Sequence, residues 1–154
     1  MNWIEVDYDT VVEKKVKTIK KTQSLSKHIS NSKFECDYMM DSDRYKIFAH
    51  DIRDTDGLQK KLVDDYKVSA ECPTMVLSEC LLIYLKNEDS QKILQWIGNF
   101  LSKAPYIGIL NYEMINPFDG FGQTMINNLM ERGCDLLGIE GCPTTETQIE
   151  RIQT

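Results

Sequence analysis

The sequence predicts an α/β domain built around a largely parallel sheet. Four short runs rich in β-branched and aromatic residues alternate with amphipathic segments of about 10 to 15 residues, the pattern of strand-helix units. Three of the four predicted strands also finish on a carboxylate. The length of 154 residues, 42% of them hydrophobic, suits a single domain.

The first predicted strand covers residues 3–7, where Ile4 and Val6 alternate with acidic residues before the chain changes period at Asp7. The helix that follows, with Asp9 or Thr10 as its N-cap, has an apolar face of Val12, Val16 and Ile19. Residues 22–44 are polar and without period, which predicts an irregular connection.

The second strand is predicted at residues 45–49 and runs out at His50 and Asp51. Asp54 or Thr55 then caps a helix whose apolar residues are spaced by four, namely Leu58, Leu62 and Tyr66.

The third strand, residues 72–79, is almost continuously apolar and ends on Glu79, as expected of a parallel strand covered on both faces. An apolar segment, residues 80–85, follows it directly. The next helix, capped by Asn87 or Asp89, has an apolar face of Ile93, Ile97, Phe100 and Leu101, with Trp96 beside it.

The fourth strand is predicted at residues 106–113 and precedes a helix that carries Phe121, Met125 and Leu129. A capping box formed by Thr145 and Gln148 predicts one further helix near the end of the chain.

The charge and the cysteines limit the classes of function. A net charge of -6 argues against a general nucleic-acid binder, which needs a surplus of Lys and Arg. The five cysteines form no C-x-x-C, so reduced thiols are favoured over disulfides or a zinc site. No apolar run reaches the ~18 residues needed to cross a bilayer, and no signal-peptide pattern is found. The expected location is the cytoplasm, with no metal and no membrane partner.

The acids at the strand ends indicate a nucleoside site, because ligands of open α/β sheets bind beyond the carboxyl ends of strands. An ionised Asp7 can accept hydrogen bonds from both ribose hydroxyls. An acid after the second strand, Asp51, can accept from an adenine amino group while the next backbone N–H meets a ring nitrogen. For each acid alone, helix capping or strand termination is the competing explanation.

Several blocks resemble consecutive blocks of the leucine carboxyl methyltransferases, in the same order and at similar spacing. They are Glu5-Val6-Asp7-Tyr8, His50-Asp51-Ile52-Arg53-Asp54, Pro73-Thr74-Met75-Val76-Leu77-Ser78-Glu79-Cys80-Leu81-Leu82-Ile83-Tyr84, Asn111-Tyr112-Glu113, Phe121-Gly122-Gln123-Thr124-Met125-Ile126-Asn127-Asn128-Leu129 and Cys134-Asp135-Leu136-Leu137-Gly138-Ile139-Glu140.

The resemblance implies a class I S-adenosylmethionine-dependent methyltransferase with a Rossmann-like sheet and flanking helices. It also implies an activity, methylation of the C-terminal leucine α-carboxylate of the type 2A protein phosphatase catalytic subunit, with S-adenosylhomocysteine as the second product. It places the ribose acid at Asp7, the adenine contacts at Asp51 and Ile52, and another cofactor-site carboxylate at Glu79. We expect the Tyr84 hydroxyl to face the acceptor, although a tyrosine packed under the helix is an equal alternative.

The family's Gly-rich first strand and its closing strands have no counterpart here, so we expect one partial methyltransferase domain over residues 1–154, inactive by itself. In the usual strand order, the missing first strand would leave two inner edges of the sheet exposed. Two alternative functions stay open. One is a non-catalytic truncated remnant that keeps the phosphatase-facing surface. The other is the paralogous tRNA wybutosine carboxyl methyltransferase, which methylates a carboxylate on a modified tRNA base.

Overall fold

The computed structural model describes residues 2–153 and divides the chain into two compact units, residues 1–65 and 66–154. Each unit combines strands with flanking helices, so the α/β class is confirmed. The single domain over residues 1–154 stays a prediction.

The first unit contains four strands in one sheet and three helices. Its elements are β1 (Trp3–Asp7), α1 (Asp9–Lys21), α2 (Gln23–Ser26), β2 (Lys33–Cys36), β3 (Met39–Asp41), β4 (Tyr45–Ala49), α3 (Thr55–Lys60) and a π-helical turn (Lys61–Asp65). The sheet order is β1-β4-β3-β2. β1 and β4 are parallel and in register from Trp3 opposite Tyr45 to Asp7 opposite Ala49.

Helix α1 covers this sheet with the apolar face that its spacing predicts. Val12 and Val16 are fully buried and Ile19 nearly so, in one cluster with Met40 and Ile47. Helix α3 begins after Asp54, whose carboxylate accepts the Gly57 N–H at 3.0 Å. The prediction of an Asp54 cap is therefore confirmed.

The predicted irregular connection over residues 22–44 is wrong where α2, β2 and β3 form. The β2–β3 hairpin is antiparallel and β3 pairs antiparallel with β4, so the sheet is mixed instead of largely parallel. Met40 supplies the driving force, because its side chain is fully buried against α1. The sequence did not predict β2 and β3 because they have only four and three residues, which is too short for an alternation of apolar and polar side chains to be recognised. Their pairing is also irregular in register.

The second unit contains a two-stranded sheet and three helices. Its elements are β5 (Thr74–Glu79), a 3₁₀ turn (Leu82–Tyr84), α4 (Asn87–Phe100), β6 (Ile107–Tyr112), α5 (Gly120–Glu131) and α6 (Thr145–Gln153). β5 and β6 are parallel along their whole length, from Thr74 opposite Ile107 to Glu79 opposite Tyr112.

Helix α4 buries Ile93 and Ile97 as predicted, and Trp96 stacks on Phe100 with ring centroids 5.5 Å apart. The predicted cap at Asn87 or Asp89 is wrong: Lys86 occupies the N-cap and makes no side-chain capping bond. The N-terminus of α4 is instead stabilised by two acids in its first turn, Glu88 and Asp89, whose negative charges interact favourably with the helix dipole.

The predicted capping box of α6 is shifted by one residue. Thr144 N–H donates to Thr147 Oγ1 at 3.0 Å, and Thr147 N–H donates to Thr144 Oγ1 at 3.3 Å. Threonine at both positions forms this reciprocal pair, which releases Gln148 to bond the Cys142 carbonyl at 2.9 Å.

Within residues 2–153, no helix is both long and apolar enough to cross a membrane.

Candidate functional site at the carboxyl ends of the strands

Asp7 closes β1 with one carboxylate oxygen unused. Its Oδ1 accepts the Tyr8 N–H at 2.7 Å, and its main-chain carbonyl accepts the His50 N–H at 3.1 Å. Its Oδ2 accepts no hydrogen bond from the part of the chain that the structure describes. The side chain is half-buried. Asp7 therefore has a fixed backbone and open acceptor capacity.

Asp51 lies two residues beyond β4 and is already engaged by Arg53. Its Oδ1 accepts the Arg53 N–H at 3.0 Å, and its two oxygens accept the guanidinium, at 2.9 Å from Nε and 2.5 Å from Nη2. These bonds, led by the side-chain contact, lower the pKa of Asp51. The ion pair is exposed, so its contribution to stability is about 0 to 1 kcal/mol.

The loop after β4 also presents a free donor. Ile52 is half-buried, and its N–H donates to no acceptor among residues 2–153. The structure brings Asp7 and this loop together, because parallel β1 and β4 end side by side and His50 is bonded to Asp7. An acceptor and a donor thus lie at one edge of the first sheet.

Glu79 closes β5 in the second unit. Its side chain is exposed and makes no hydrogen bond or ion pair with the described residues. It shares one face of the strand with Met75 and Leu77, both exposed. On that face the paired strand β6 contributes Leu110 and Tyr112. Glu79 is the carboxylate at the end of an apolar sheet face.

Tyr84 ends the 3₁₀ turn, with a side chain 36% exposed and a hydroxyl that has no hydrogen-bond partner within residues 2–153. Burial, followed by negative charge at Cys134, Cys80 and Glu113, raises the pKa of Tyr84. The phenol therefore keeps its proton at neutral pH and can donate it to an anion.

A fourth carboxylate, Glu113, follows β6 directly and was not among the predicted site residues. Its Oε1 accepts the N–H groups of Leu81 at 3.1 Å and Ile83 at 3.3 Å. Its Oε2 is buried and has no hydrogen-bond partner among the described residues. Burial raises the pKa of Glu113, against the opposing effect of these amides and of the Arg151 charge.

The rule that selects Asp7, Asp51 and Glu79 also selects Glu113, since each lies at or just beyond the end of a parallel strand. The fourth predicted strand, residues 106–113, in fact ends on Glu113, so this signal was present in the sequence. What the rule could not show is where the carboxylate points, which depends on a turn thirty residues away in the sequence.

Cys80 connects β5 to the 3₁₀ turn through a strained backbone. Its φ is 45°, in the left-handed region that a side chain disfavours. Such strain persists only where the surroundings determine the conformation, and it is concentrated at functional sites.

No metal centre is indicated among residues 2–153, where no group of three or more His, Cys, Asp or Glu side chains could hold an ion. His50 follows the last residue of β4 directly, so it lies at the strand end, as predicted. Its Nε2 is 2.9 Å from the main-chain carbonyl oxygen of Asp54, in the loop that precedes α3.

Comparison with known proteins gives a family match and several relatives. A model of the family described as leucine carboxyl methyltransferase matches residues 1–98. Leucine carboxyl methyltransferase 1 of Bos taurus is 39% identical over 97% of this chain and 46% of its own length. The Arabidopsis thaliana homologue is 34% identical over 92% of this chain and 42% of its own length. The Schizosaccharomyces pombe protein is 32% identical over 96% and 46%, respectively.

The chain spans about half the length of the curated relatives that it matches. The family match runs from β1 into α4 and ends at residue 98, so it includes Asp7, Asp51, Glu79 and Tyr84. The relatives also match β6 and the helices that follow it. On the strength of this match, the chain belongs to the leucine carboxyl methyltransferase family.

Proposed function

We propose that this chain forms part of an enzyme that methylates the α-carboxylate of a C-terminal leucine. The proposed acceptor is the catalytic subunit of a type 2A protein phosphatase, and the proposed donor is S-adenosylmethionine. The observation that carries the proposal is the end of β1, where Asp7 keeps a free carboxylate oxygen beside the free Ile52 N–H. An acceptor for hydroxyls next to a donor for a ring nitrogen is what a nucleoside requires.

Each predicted residue has a role toward the cofactor. Asp7 accepts from the ribose hydroxyls, Asp51 accepts from the adenine amino group, and the Ile52 N–H donates to the ring. Glu79 supplies a further carboxylate toward the cofactor from the end of β5. When bound, the cofactor supplies an electrophilic methyl group on a positively charged sulfur.

The acceptor needs orientation more than activation. A C-terminal carboxylate has a pKa near ~3.5, so it is already the nucleophile at neutral pH and requires no general base. A lone pair on one carboxylate oxygen would form the bond to the methyl carbon as the carbon–sulfur bond of the donor broke, and the electron pair of that broken bond would stay on sulfur. The products are a methyl ester and S-adenosylhomocysteine. Because both charges disappear, a dry pocket with an aligned carboxylate favours the reaction.

Tyr84 is the proposed orienting group. Its hydroxyl is free and protonated, and it can donate a hydrogen bond to the acceptor carboxylate without competing with it for the methyl group.

The finer features of the fold and location belong to the same proposal. β1 is an edge strand, and the second sheet has two strands in the described chain, so both sheets can accept further strands. We propose that a longer protein adds such strands to give the Rossmann-like sheet of class I methyltransferases. The five unpaired cysteines support a cytoplasmic location.

The cofactor proposal is tested in the parent protein, meaning the longest natural polypeptide that contains these 154 residues. Calorimetry should show that Asp7→Ala weakens S-adenosylhomocysteine binding by roughly 2 to 3 kcal/mol, because two buried hydroxyls lose their acceptor. The 2′-deoxy analogue is the matched control, since the variant should lose less affinity for it. Equal binding by both proteins would refute the ribose role, and no binding at all by the parent protein would indicate the non-catalytic remnant.

The acceptor proposal is tested with Tyr84→Phe and a peptide that ends in leucine. The rate of methyl transfer should fall by on the order of 10- to 1000-fold while cofactor affinity is unchanged, because only the carboxylate loses a hydrogen bond. An unchanged rate would assign Tyr84 to packing. An equal fall in cofactor affinity would place it against the cofactor instead.

A further inference from the structure

Residues 80–84, here called the 80–84 turn, have their backbone polar groups fixed by several different elements. Cys80 N–H donates to the Tyr112 carbonyl at 2.8 Å, and the Ile83 carbonyl accepts the Gly138 N–H at 2.9 Å. The Leu81 carbonyl accepts the Tyr84 N–H at 3.2 Å. This turn carries Tyr84 at its end and the strained Cys80 at its start.

Glu113 binds two further donors of the 80–84 turn. One oxygen, Oε1, accepts the N–H groups of both Leu81 and Ile83. A single acceptor shared by two amides fixes the path of the chain between them, because shifting either residue lengthens a bond to the same atom. These bonds are charge-assisted and therefore stronger than bonds to a neutral carbonyl.

Arg151 contacts the 80–84 turn from helix α6. It is almost fully buried, and its Nη2 donates to Ser90 Oγ at 2.5 Å and lies 3.5 Å from the Leu82 carbonyl. The carboxylate of Glu113 thus accepts hydrogen bonds from N–H groups of the turn, and the guanidinium of Arg151 donates to one of its carbonyl groups. The two charges also attract each other, since Arg151 favours the ionised form of Glu113.

This arrangement is held at an energetic disadvantage. Glu113 buries a second oxygen that has no hydrogen-bond partner among residues 2–153, and burying an unpaired acceptor destabilises the folded state. A side chain that only closed the turn could do so with less cost as an amide or a hydroxyl at the surface. This energetic cost has an explanation if the geometry of the 80–84 turn determines the position of Tyr84, which the turn carries at its end.

We propose that Glu113 is a positioning residue for methyl transfer, which sets the direction of the Tyr84 hydroxyl by holding the Leu81 and Ile83 amides on one oxygen. This inference rests on the proposed function, in which Tyr84 orients the acceptor carboxylate. Glu113 itself touches neither the cofactor nor the acceptor in this scheme.

Two substitutions of Glu113 in the parent protein separate the effect of the length of its side chain from the effect of its charge. Glu113→Asp keeps the charge but is one methylene shorter and cannot reach both amides, whereas Glu113→Gln keeps the reach and an acceptor oxygen. We expect kcat to fall by roughly 10- to 100-fold in Glu113→Asp, since misplacement by about 1 Å is enough for this. Glu113→Gln should retain most of kcat, and neither variant should change the affinity for S-adenosylhomocysteine. Glu131→Asp, an exposed acid at the end of α5, is the matched control and should change nothing.

Two further measurements do not depend on activity. Hydrogen exchange of the Leu81 and Ile83 amides should accelerate in Glu113→Asp and stay slow in Glu113→Gln. The nuclear magnetic resonance signal of a labelled Tyr84 ring should move in the first variant and not in the second.

A double variant, Glu113→Asp with Tyr84→Phe, tests whether the two residues act together. Its kcat should be close to that of the more impaired single variant, because a misdirected hydroxyl contributes little and its removal has little further effect.

The proposal is overturned if Glu113→Asp leaves the exchange and the Tyr84 signal unchanged, whatever happens to activity. It is also overturned if the turn loosens but kcat is unaffected while Tyr84→Phe lowers it. If instead the unsubstituted parent protein transfers no methyl group, the proposed function fails. In that case the exchange and ring-signal results still decide whether Glu113 holds Tyr84 in place.

Discussion

Carboxylates at the strand ends differ in what already surrounds them. Asp7 and Glu79 have unused oxygens, Asp51 is paired with Arg53, and Glu113 is half-buried against backbone amides. The same functional group at similar positions therefore keeps open acceptor capacity in one place and is bonded to the backbone of a turn in another. Their substitutions should separate these roles.

Glu113 should make stability depend on pH in a direction opposite to that of a salt-bridged acid. Its pKa is raised from the ordinary 4.5, so the folded state holds the proton more tightly than the unfolded state. This contribution is present below pH 4.5 and is lost as the pH rises through the higher folded value. In urea unfolding from pH 4.5 to 7.5, Glu113→Gln should gain stability relative to the unsubstituted parent protein as the pH increases. Parallel stability curves would contradict this prediction.

Asp51 can be tested against its partner Arg53. If Asp51 reads adenine, Asp51→Ala should weaken S-adenosylhomocysteine binding more than Asp51→Asn, which keeps one acceptor. Arg53→Ala should leave affinity nearly unchanged, because it removes an exposed ion pair and not the carboxylate. An analogue without the adenine amino group should bind Asp51→Ala and the unsubstituted protein equally. Loss of affinity in Arg53→Ala equal to that in Asp51→Ala would instead assign both residues to the shape of the loop.

Among the elements, those whose burial is encoded locally were predictable from the sequence, and those completed by distant residues were not. The apolar face of α1 follows from its own spacing. The strand β5 was predictable from its apolar run, but the expected cover on both faces is not found in the described chain, where Met75 and Leu77 are exposed. The hairpin β2–β3 depends on Met40 reaching α1, and the cap of α6 depends on a reciprocal pair of threonines. At the candidate site, Asp7 and Asp51 could be predicted because they lie at or just beyond the end of a strand, whereas the contacts of Glu113 depend on the position of the 80–84 turn.

The loop before α6 packs closely on the 80–84 turn, which makes Gly138 sensitive to substitution. A Cβ at Gly138 would lie 2.8 Å from the Leu85 carbonyl oxygen and 3.0 Å from that of Leu82, both backbone atoms. Gly138→Ala should therefore lower the free energy of unfolding by about 1 to 3 kcal/mol. Gly98→Ala in α4 is the matched control, because its Cβ meets no atom within 4 Å. Since alanine favours a helix, the control should be neutral or more stable by about 0.5 to 1 kcal/mol. Thermal unfolding of the two variants measures the difference, and equal losses would contradict the close packing.

On the scale of the whole molecule, the described chain leaves apolar surface uncovered on its second sheet. Met75, Leu77, Leu110 and Tyr112 share one face, with exposures of 44% to 70%. Contiguous exposed apolar patches of this kind promote association. The 154-residue chain by itself should therefore self-associate as its concentration increases.

Charges placed on that sheet face should reverse the association. We expect the variant with Leu77→Lys and Leu110→Lys to sediment closer to a monomer than the unsubstituted chain in analytical ultracentrifugation. Gln91→Lys and Gln95→Lys, two helix substitutions outside the sheet that add the same charge, control for net charge alone and should have less effect. If both double variants dissociate equally, charge and not the apolar face governs association. A monomeric unsubstituted chain at every concentration would also refute the prediction.

The parallel pairing of β1 with β4 has a consequence for the order in which the first unit folds. During synthesis β1 leaves the ribosome before the other strands of its sheet, yet its partner residues, from Tyr45 to Ala49, emerge only after the hairpin β2–β3 has been made. The antiparallel contacts are local and close short loops, whereas the parallel pair must close a long one. Of the four strands of this sheet, the one that is synthesised first is therefore the last to dock, and Asp7 takes its place only when Ala49, the final residue of β4, has been synthesised.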